Sequence, residues 1–213
     1  IKVGFDITDN QRIKVGYEAY KDEGDYSARP DMGLATDMAI GQFLSTDGIS
    51  QLYPTTFTRD TATINYDADF DHLTIEAVVF QNISTLEREE AYFWRGSLVE
   101  EFKEGEASNT GLSVLLQHDF GGDIEHVLTY GLEAISYKTE FNGINYTSST
   151  ATTSEEDAKS TALFIQDRIS FGDLSITPGV RFNQWDINSN LIDKSYSEPT
   201  LALALEYAID SAT

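Results

Sequence analysis

The chain has 213 residues, no cysteine, and 36 acidic against 14 basic residues, which gives a net charge of −22. The lack of cysteine excludes a disulfide-stapled fold and cysteine-ligated zinc or iron–sulfur sites, and the acidic surplus argues against a nucleic-acid partner. The sequence contains no apolar run of the roughly 18 residues that a membrane-spanning helix needs, whereas a transmembrane β-barrel stays compatible with it, because barrel strands carry only about ten alternating residues each.

Alternating apolar and polar residues at the start of the chain predict a β-hairpin. Ile1 to Thr8 forms its first strand, Asp9-Asn10-Gln11 its turn, and Ile13 to Tyr20 its second strand. The stretch from Lys21 to about Thr56 is polar and interrupted by glycines and prolines, so it is predicted to be a long loop, with a short helix possible at Leu34 to Phe43.

The same alternation predicts two further hairpins and two further long loops. In both hairpins the two strands are joined by a short turn, at Asp71-His72 in one and at Gly121-Gly122-Asp123 in the other. The predicted strands are residues 61–70, 73–79, 112–120 and 124–134, and the predicted loops are Asn82 to Asn109 and Glu140 to Ala158.

The last part of the chain carries the clearest alternation. Thr161 to Phe171 and Leu174 to Phe182 form a hairpin around Gly172-Asp173. A shorter loop is predicted after Asp186, and Leu201 to Ile209 alternates again as a ninth strand.

Short and long connections therefore alternate along the whole chain. This is typical of an outer-membrane barrel with short periplasmic turns and long extracellular loops, whereas a soluble sandwich mixes loop lengths at both ends. Phe70, Phe120 and Phe171 each precede a short turn on the apolar parity, where an aromatic girdle belongs; capping of a sandwich core is the alternative. The predicted fold is all-β, an antiparallel up-and-down transmembrane β-barrel, here a partial barrel of about nine strands.

Two motifs resemble those of TonB-dependent outer-membrane receptors. In that family a strand ending in Gln-Asp and a strand with Pro-Gly-x-Arg flank a short turn; here these are Gln166-Asp167 and Pro178-Gly179 with Arg181. Residues 126–134, HVLTYGLEA, are similar to the family's His-x-Leu-x-Tyr-Gly-x-Glu strand. Residues 9–20 and 58–67 resemble strands of the haem and haemoglobin receptor branch, although that branch's Phe-Arg-Ala-Pro motif and nearby loop histidine do not occur here.

The resemblance implies active transport through a plugged barrel. Residues 1–213 would form part of a single barrel domain, with the plug domain, the TonB box and the remaining strands absent. The implied cargo is an iron chelate, haem or haemoglobin-derived, or a ferric siderophore; a passive porin and a TonB-dependent oligosaccharide or cobalamin transporter are the alternatives. The implied partners are the TonB complex, the receptor's own plug, outer-membrane lipid, lipopolysaccharide and the iron-bearing ligand, with no nucleic acid.

Ligand contacts are expected from the predicted long loops, on the side away from the histidines. His72, His118 and His126 lie in or beside short turns and would face the periplasm, so neither a metal site nor a cofactor is predicted. Packing of the loops against one another is the alternative role of the loop residues. The candidate contacts are Tyr26, Met32, Met38, Tyr53, Phe57, Tyr92, Trp94 and Tyr146.

Charged residues on the polar parity are predicted to line the lumen, several of them in contact with the plug. Arg168 and Arg181 have no acidic partner on their own hairpin, and Asp167 breaks the pattern by lying on the apolar parity. No enzyme is expected, because catalysis by a nucleophile needs a histidine base within reach and no Gly-x-Ser-x-Gly is present. The predicted plug-facing residues are Glu76, Glu133, Arg168, Arg181 and Glu206.

Overall fold

The computed structural model describes residues 1–27, 52–94, 97–122 and 124–209, with the backbone alone over 25–27, 52–53, 91–94 and 97–98. The described residues form nine β-strands that pair in chain order as one antiparallel sheet, with β1 and β9 at its edges. No helix in these ranges is long and apolar enough to cross a membrane. The strands are β1 Lys2–Thr8, β2 Gln11–Ser27, β3 Leu52–Phe70, β4 Leu73–Trp94, β5 Ser97–Phe120, β6 Glu125–Asn145, β7 Thr150–Phe171, β8 Leu174–Ser189 and β9 Asp193–Tyr207.

The sheet is a single layer without a packed core. Among the described residues, the apolar side chains that are buried are Ala68 and Ala162. Large apolar side chains lie open instead, and Leu201 is 81% exposed. A soluble protein would cover such a surface, so one face of this sheet needs an apolar environment.

Successive residues alternate between two faces of the sheet, which we call the apolar face and the polar face. On β4 the apolar face carries Leu73, Ile75, Ala77 and Val79 before Gln81 begins a polar stretch. The other strands repeat this pattern, so the apolar face bears a band, the apolar band, about ten residues tall. That height is the length of strand that crosses the hydrocarbon core of a membrane.

The short turns lie together at one end of the sheet, which we call the short-turn end. They join β1 to β2, β3 to β4, β5 to β6 and β7 to β8, as the sequence predicts. Gly172 in the last of them has a φ of +61°, a conformation that glycine adopts without strain. Phe70, Phe120 and Phe171 form a row at this end and are partly exposed.

At the opposite end, which we call the far end, the long-loop prediction is largely wrong. β4 runs to Trp94 and β5 starts at Ser97, so most of the predicted loop from Asn82 to Asn109 is paired strand. Most of Glu140 to Ala158 is likewise strand, because β6 ends at Asn145 and β7 starts at Thr150. The alternation stops at these ends because neither face is consistently apolar above the apolar band, whereas the backbone ladder continues.

The first and last of the predicted loops are also shorter than expected. β2 extends to Ser27 and β3 starts at Leu52, so strand enters both ends of the predicted loop from Lys21 to Thr56. The helix predicted at Leu34 to Phe43 lies outside the described residues. After β8, three residues, 190–192, lead to β9.

Candidate functional site

The polar face carries ion pairs between neighbouring strands. Lys14 on β2 binds Asp67 on β3 at 2.5 Å, and Arg59 on β3 binds Glu18 on β2 at 3.1 Å. Glu76 on β4 is the ladder partner of Asp67 and lies on the same face. These pairs are exposed to solvent and therefore stabilise the sheet by at most about 1 kcal/mol each.

Two further ion pairs on the polar face cross a whole strand. Arg181 on β8 binds Glu133 on β6, and the intervening strand β7 places Ala162 between them, 2% exposed. Arg168 on β7 binds Glu206 on β9 at 3.2 Å, across β8. The two arginines lack acidic partners on their own hairpin, as expected, but each has one two strands away.

Phe164 packs against Arg181 of the Arg181–Glu133 pair. The guanidinium carbon of Arg181 lies 5.6 Å from the centre of the Phe164 ring, within the range of a cation–π contact. The ring in turn lies over Gly131 on β6, where an added Cβ would meet Phe164 Cζ at 2.7 Å. Gly131, Glu133, Phe164 and Arg181 therefore form one interlocked patch over three strands.

We expect the Arg181–Glu133 pair to be coupled but modest in strength. A double-mutant cycle with Arg181→Met and Glu133→Gln should give a coupling free energy of about 0.5–1 kcal/mol, because both side chains are about 40% exposed. Denaturant unfolding in lipid vesicles measures it. The control cycle combines Arg181→Met with Glu206→Gln, whose effects should be additive because Glu206 belongs to the other ion pair. Equal coupling in both cycles would contradict the pairing.

At the far end, the polar face carries a denser ionic cluster, which we call the far-end cluster. Lys103 Nζ lies 2.6 Å from Glu90 and 3.2 Å from Glu101, and Arg88 lies 3.3 Å from Glu90. Asn145 donates a hydrogen bond to Glu101 at 2.8 Å. Glu90 is only 13% exposed, so the cluster is a rigid part of the wall rather than a solvated charge run.

The charges of the far-end cluster hold Lys103 in its protonated form. Desolvation lowers the pKa of Lys103, but the hydrogen bonds and charges of Glu90 and Glu101 outweigh it, and the net pKa is raised above the usual 10.5. A raised pKa means that the lysine's contribution to stability is complete below pH 10.5 and is lost only at higher pH. This cluster has no signature in the sequence, because it depends on the register of β4 against β5, which local patterns do not show.

The structure describes the side chains of only two of the predicted ligand contacts, Phe57 and Tyr146. Phe57 lies on the polar face next to Tyr20, with ring centroids 6.1 Å apart and planes inclined by 59°. Tyr146 is exposed between β6 and β7. Four others are placed by their backbone only: Tyr26 on β2, its ladder partner Tyr53 on β3, and Tyr92 and Trp94 on β4; Met32 and Met38 lie outside the described residues.

Tyr20 belongs to the candidate site although it is not among the ligand contacts predicted from the sequence. It shares the polar face with Phe57, and the Arg59–Glu18 pair lies beside them on the same two strands. The signal was present in the sequence, because Tyr20 falls on the polar parity of its strand, where an aromatic residue has no lipid to contact. We call Tyr20, Phe57, Arg59 and Glu18 the aromatic wall patch.

Asp167, which lies on the apolar face against the general pattern, has a polar partner on the neighbouring strand. Asp167 Oδ2 lies 2.8 Å from Nδ1 of His126 on the neighbouring strand β6. The β7–β8 ladder keeps one register on both sides of Asp167, so a bulge is excluded. All three histidines lie at the short-turn end: His72 is in a turn, His118 stacks on Phe120 with ring centroids 5.1 Å apart, and His126 binds Asp167.

An antiparallel up-and-down sheet with an apolar face one membrane thick and a charged opposite face is the wall of a transmembrane β-barrel. The model of the family described as TonB dependent receptor-like, beta-barrel, matches residues 3–213. The chain therefore belongs to the TonB-dependent receptor β-barrel family, whose members lie in the bacterial outer membrane. In a transmembrane β-barrel the apolar face contacts lipid and the polar face lines the lumen. No curated protein sequence matches the chain.

Several solved structures share the fold of this chain. The ferric citrate transporter FecA in its unliganded form superposes with a TM-score of 0.73 at 15% identity, over 99% of this chain and 33% of that one. FpvA from P. aeruginosa, in a pyoverdine–iron complex, gives 0.72 at 12%, over 99% and 33%. BauA, the ferric preacinetobactin receptor from Acinetobacter baumannii, gives 0.68 at 14%, over 95% and 36%. The chain thus spans about a third of each of these structures.

Proposed function

We propose that this chain forms part of the wall of a receptor that binds a ferric siderophore at the far end of the barrel and imports it with energy supplied through TonB. The similar structures named above are receptors or transporters for ferric preacinetobactin, ferric citrate and iron-loaded pyoverdine. The proposal assigns this chain transport and no catalytic residue.

The aromatic wall patch is the observation that carries the ligand proposal. Tyr20 and Phe57 face the lumen above the apolar band, and Arg59 lies beside them in an ion pair with Glu18, which an anionic ligand group would have to join or replace. Aromatic rings and an arginine suit a ligand that combines flat organic groups with negatively charged oxygen donors. A ferric siderophore has this chemistry.

Haem is the weaker candidate for the cargo. A haem receptor needs axial ligands to the iron at its binding face, and histidine is the usual one. The chain has three histidines, and all lie at the short-turn end, which faces the periplasm. A porin differs from the proposal in its energy supply, so its uptake would persist without TonB. An oligosaccharide or cobalamin transporter differs in its cargo, so it would accumulate no iron from a ferric siderophore, haem or haemoglobin.

The lumen-facing charges are proposed to contact the receptor's plug. Glu76, Glu133, Arg168, Arg181 and Glu206 lie on the polar face, below the aromatic wall patch. Because both arginines already have carboxylate partners in the wall, a plug residue would have to join or replace an existing ion pair. Plug contact is thus expected to rearrange these pairs rather than to neutralise lone charges.

The ligand proposal predicts a loss of affinity on truncating Phe57. In the complete receptor, Phe57→Ala should raise the Kd for a ferric siderophore by about tenfold, the order expected for one aromatic contact. Phe102→Ala is the matched control, since Phe102 lies near the far end of β5 on the opposite face, and it should change Kd less than about twofold. Fluorescence quenching or calorimetry measures both; equal effects would remove the patch from the binding site.

A further inference from the structure

The apolar band contains an isolated group of ionisable residues. On β5 to β8, its outward positions are apolar apart from His118, His126 and Asp167. These three lie on adjacent strands near the short-turn end, and Asp167 lies two outward positions above Phe171 at the rim. Ionisable side chains that face lipid are costly and therefore call for a specific role.

Asp167 has more acceptor capacity than its protein partner uses. A carboxylate offers about four acceptor positions, and among the described residues His126 is its hydrogen-bond donor, at Oδ2. Its second oxygen, Oδ1, is buried without a hydrogen-bond partner. The side chain as a whole is 27% exposed, so part of the carboxyl group is open to a donor from outside the sheet.

The strand beside Asp167 is interrupted at the same level. The β7–β8 ladder lacks the two pairings between Gln166–Gly179 and Ile169–Ile176, because Pro178 has no N–H to donate. A cavity of about 340 Å³ opens there on the apolar face, and its walls include Leu128, Ile165, Asp167, Pro178 and Val180. A single acidic group thus lies on the wall of a shallow, otherwise apolar groove.

We propose that this groove binds a phospholipid of the periplasmic leaflet that carries a primary ammonium headgroup. The acyl chain lies along the apolar walls, and the ammonium group donates hydrogen bonds to Asp167. Lipid is the occupant because the groove lies on the face that contacts the membrane, and the short turns place it in the periplasmic leaflet, away from lipopolysaccharide. The inference rests on the family placement and is independent of the siderophore proposal.

We infer the type of headgroup from the acceptor positions of Asp167 that no hydrogen-bond donor fills. A primary ammonium has three N–H donors, whereas a choline headgroup has the same charge and none. An anionic headgroup offers acceptors to a carboxylate that already lacks donors. We therefore expect phosphatidylethanolamine to be preferred over phosphatidylcholine of the same acyl chains.

The test uses the complete receptor, titrated with the two lipids and followed by native mass spectrometry. The wild type should bind phosphatidylethanolamine about tenfold more tightly than phosphatidylcholine, and Asp167→Asn should reduce this ratio to about one. Asp157→Asn is the matched control, because Asp157 lies on the same face of the same strand above the band, and it should keep the preference.

Equal binding of the two lipids by the wild type would overturn the proposal, as would an unchanged preference in Asp167→Asn. The wild-type comparison alone decides the matter if Asp167→Asn does not fold. Iron-chelate binding by the same samples separates the two proposals, since loss of the lipid preference leaves the siderophore site intact.

Discussion

Leu116→Lys should prevent or strongly impair assembly of the barrel, whereas Leu115→Lys should be tolerated. The two leucines are neighbours on β5, but Leu116 lies in the middle of the apolar band and Leu115 lies on the polar face. A lysine facing the lipid near the membrane midplane costs roughly 2–4 kcal/mol. A lysine that faces the lumen stays in contact with water, so its cost should remain below about 1 kcal/mol.

This pair is an unusually close comparison, because the residue type, the substitution and the strand are the same. The amount of heat-modifiable, folded receptor in the outer membrane measures assembly, and urea titration in lipid vesicles measures the free energy of folding. If both variants assembled equally well, the assignment of the two faces would be wrong.

Gly131→Ala and Gly111→Ala should both destabilise the sheet, but only the second should be rescued by a partner substitution. At Gly111, the ring of Phe80 occupies the space that a Cβ needs. At Gly131, the obstacles are the Phe164 ring and the backbone oxygen of Val114. Each alanine should cost about 1–3 kcal/mol, the usual cost of overpacking.

Rescue distinguishes the two glycines because a ring can be removed and a backbone oxygen cannot. Adding Gly111→Ala to a Phe80→Ala background should cost less than about 0.5 kcal/mol. Adding Gly131→Ala to Phe164→Ala should still cost about 1–3 kcal/mol. Gly121→Ala is the control, since nothing lies within 4 Å of its added Cβ. Urea titration in lipid vesicles measures each step, and equal rescue at both sites would contradict the packing described here.

The two sequence motifs that carry the family resemblance meet on both faces of the sheet. On the apolar face, His126 of the strand motif at residues 126–134 binds Asp167 of the hairpin motif. On the polar face, Glu133 of the strand motif binds Arg181 of the hairpin motif. These two contacts between the motifs therefore hold β6, β7 and β8 together near Pro178, where the β7–β8 ladder is interrupted.

The parts of the fold that sequence alone can predict are those where the surroundings differ between the two faces. In a membrane wall, lipid on one side and water on the other impose the alternation, and the turn residues between two alternating stretches mark the short turns. Above the apolar band both faces meet water, so the strand extensions up to Trp94 and Asn145 carry no such signal.

The candidate site is predicted less completely, for a related reason. Phe57 can be proposed from its residue type and position, but its contact with Tyr20 depends on the register of β2 against β3. The partners of Arg168 and Arg181 lie two strands away, at separations of 38 and 48 residues along the chain. Local patterns cannot show such pairs, because they arise only once every strand is in register.

Energised uptake of a ferric siderophore would show both the cargo of the receptor and its source of energy. Cells that carry the complete receptor would be grown under iron limitation and supplied with radiolabelled iron as ferric siderophores, haem or haemoglobin. We predict accumulation of iron from a ferric siderophore that is lost when TonB is deleted and reduced by Phe57→Ala at low ligand concentration. Uptake that persists without TonB, or that occurs only with haem, would contradict the account.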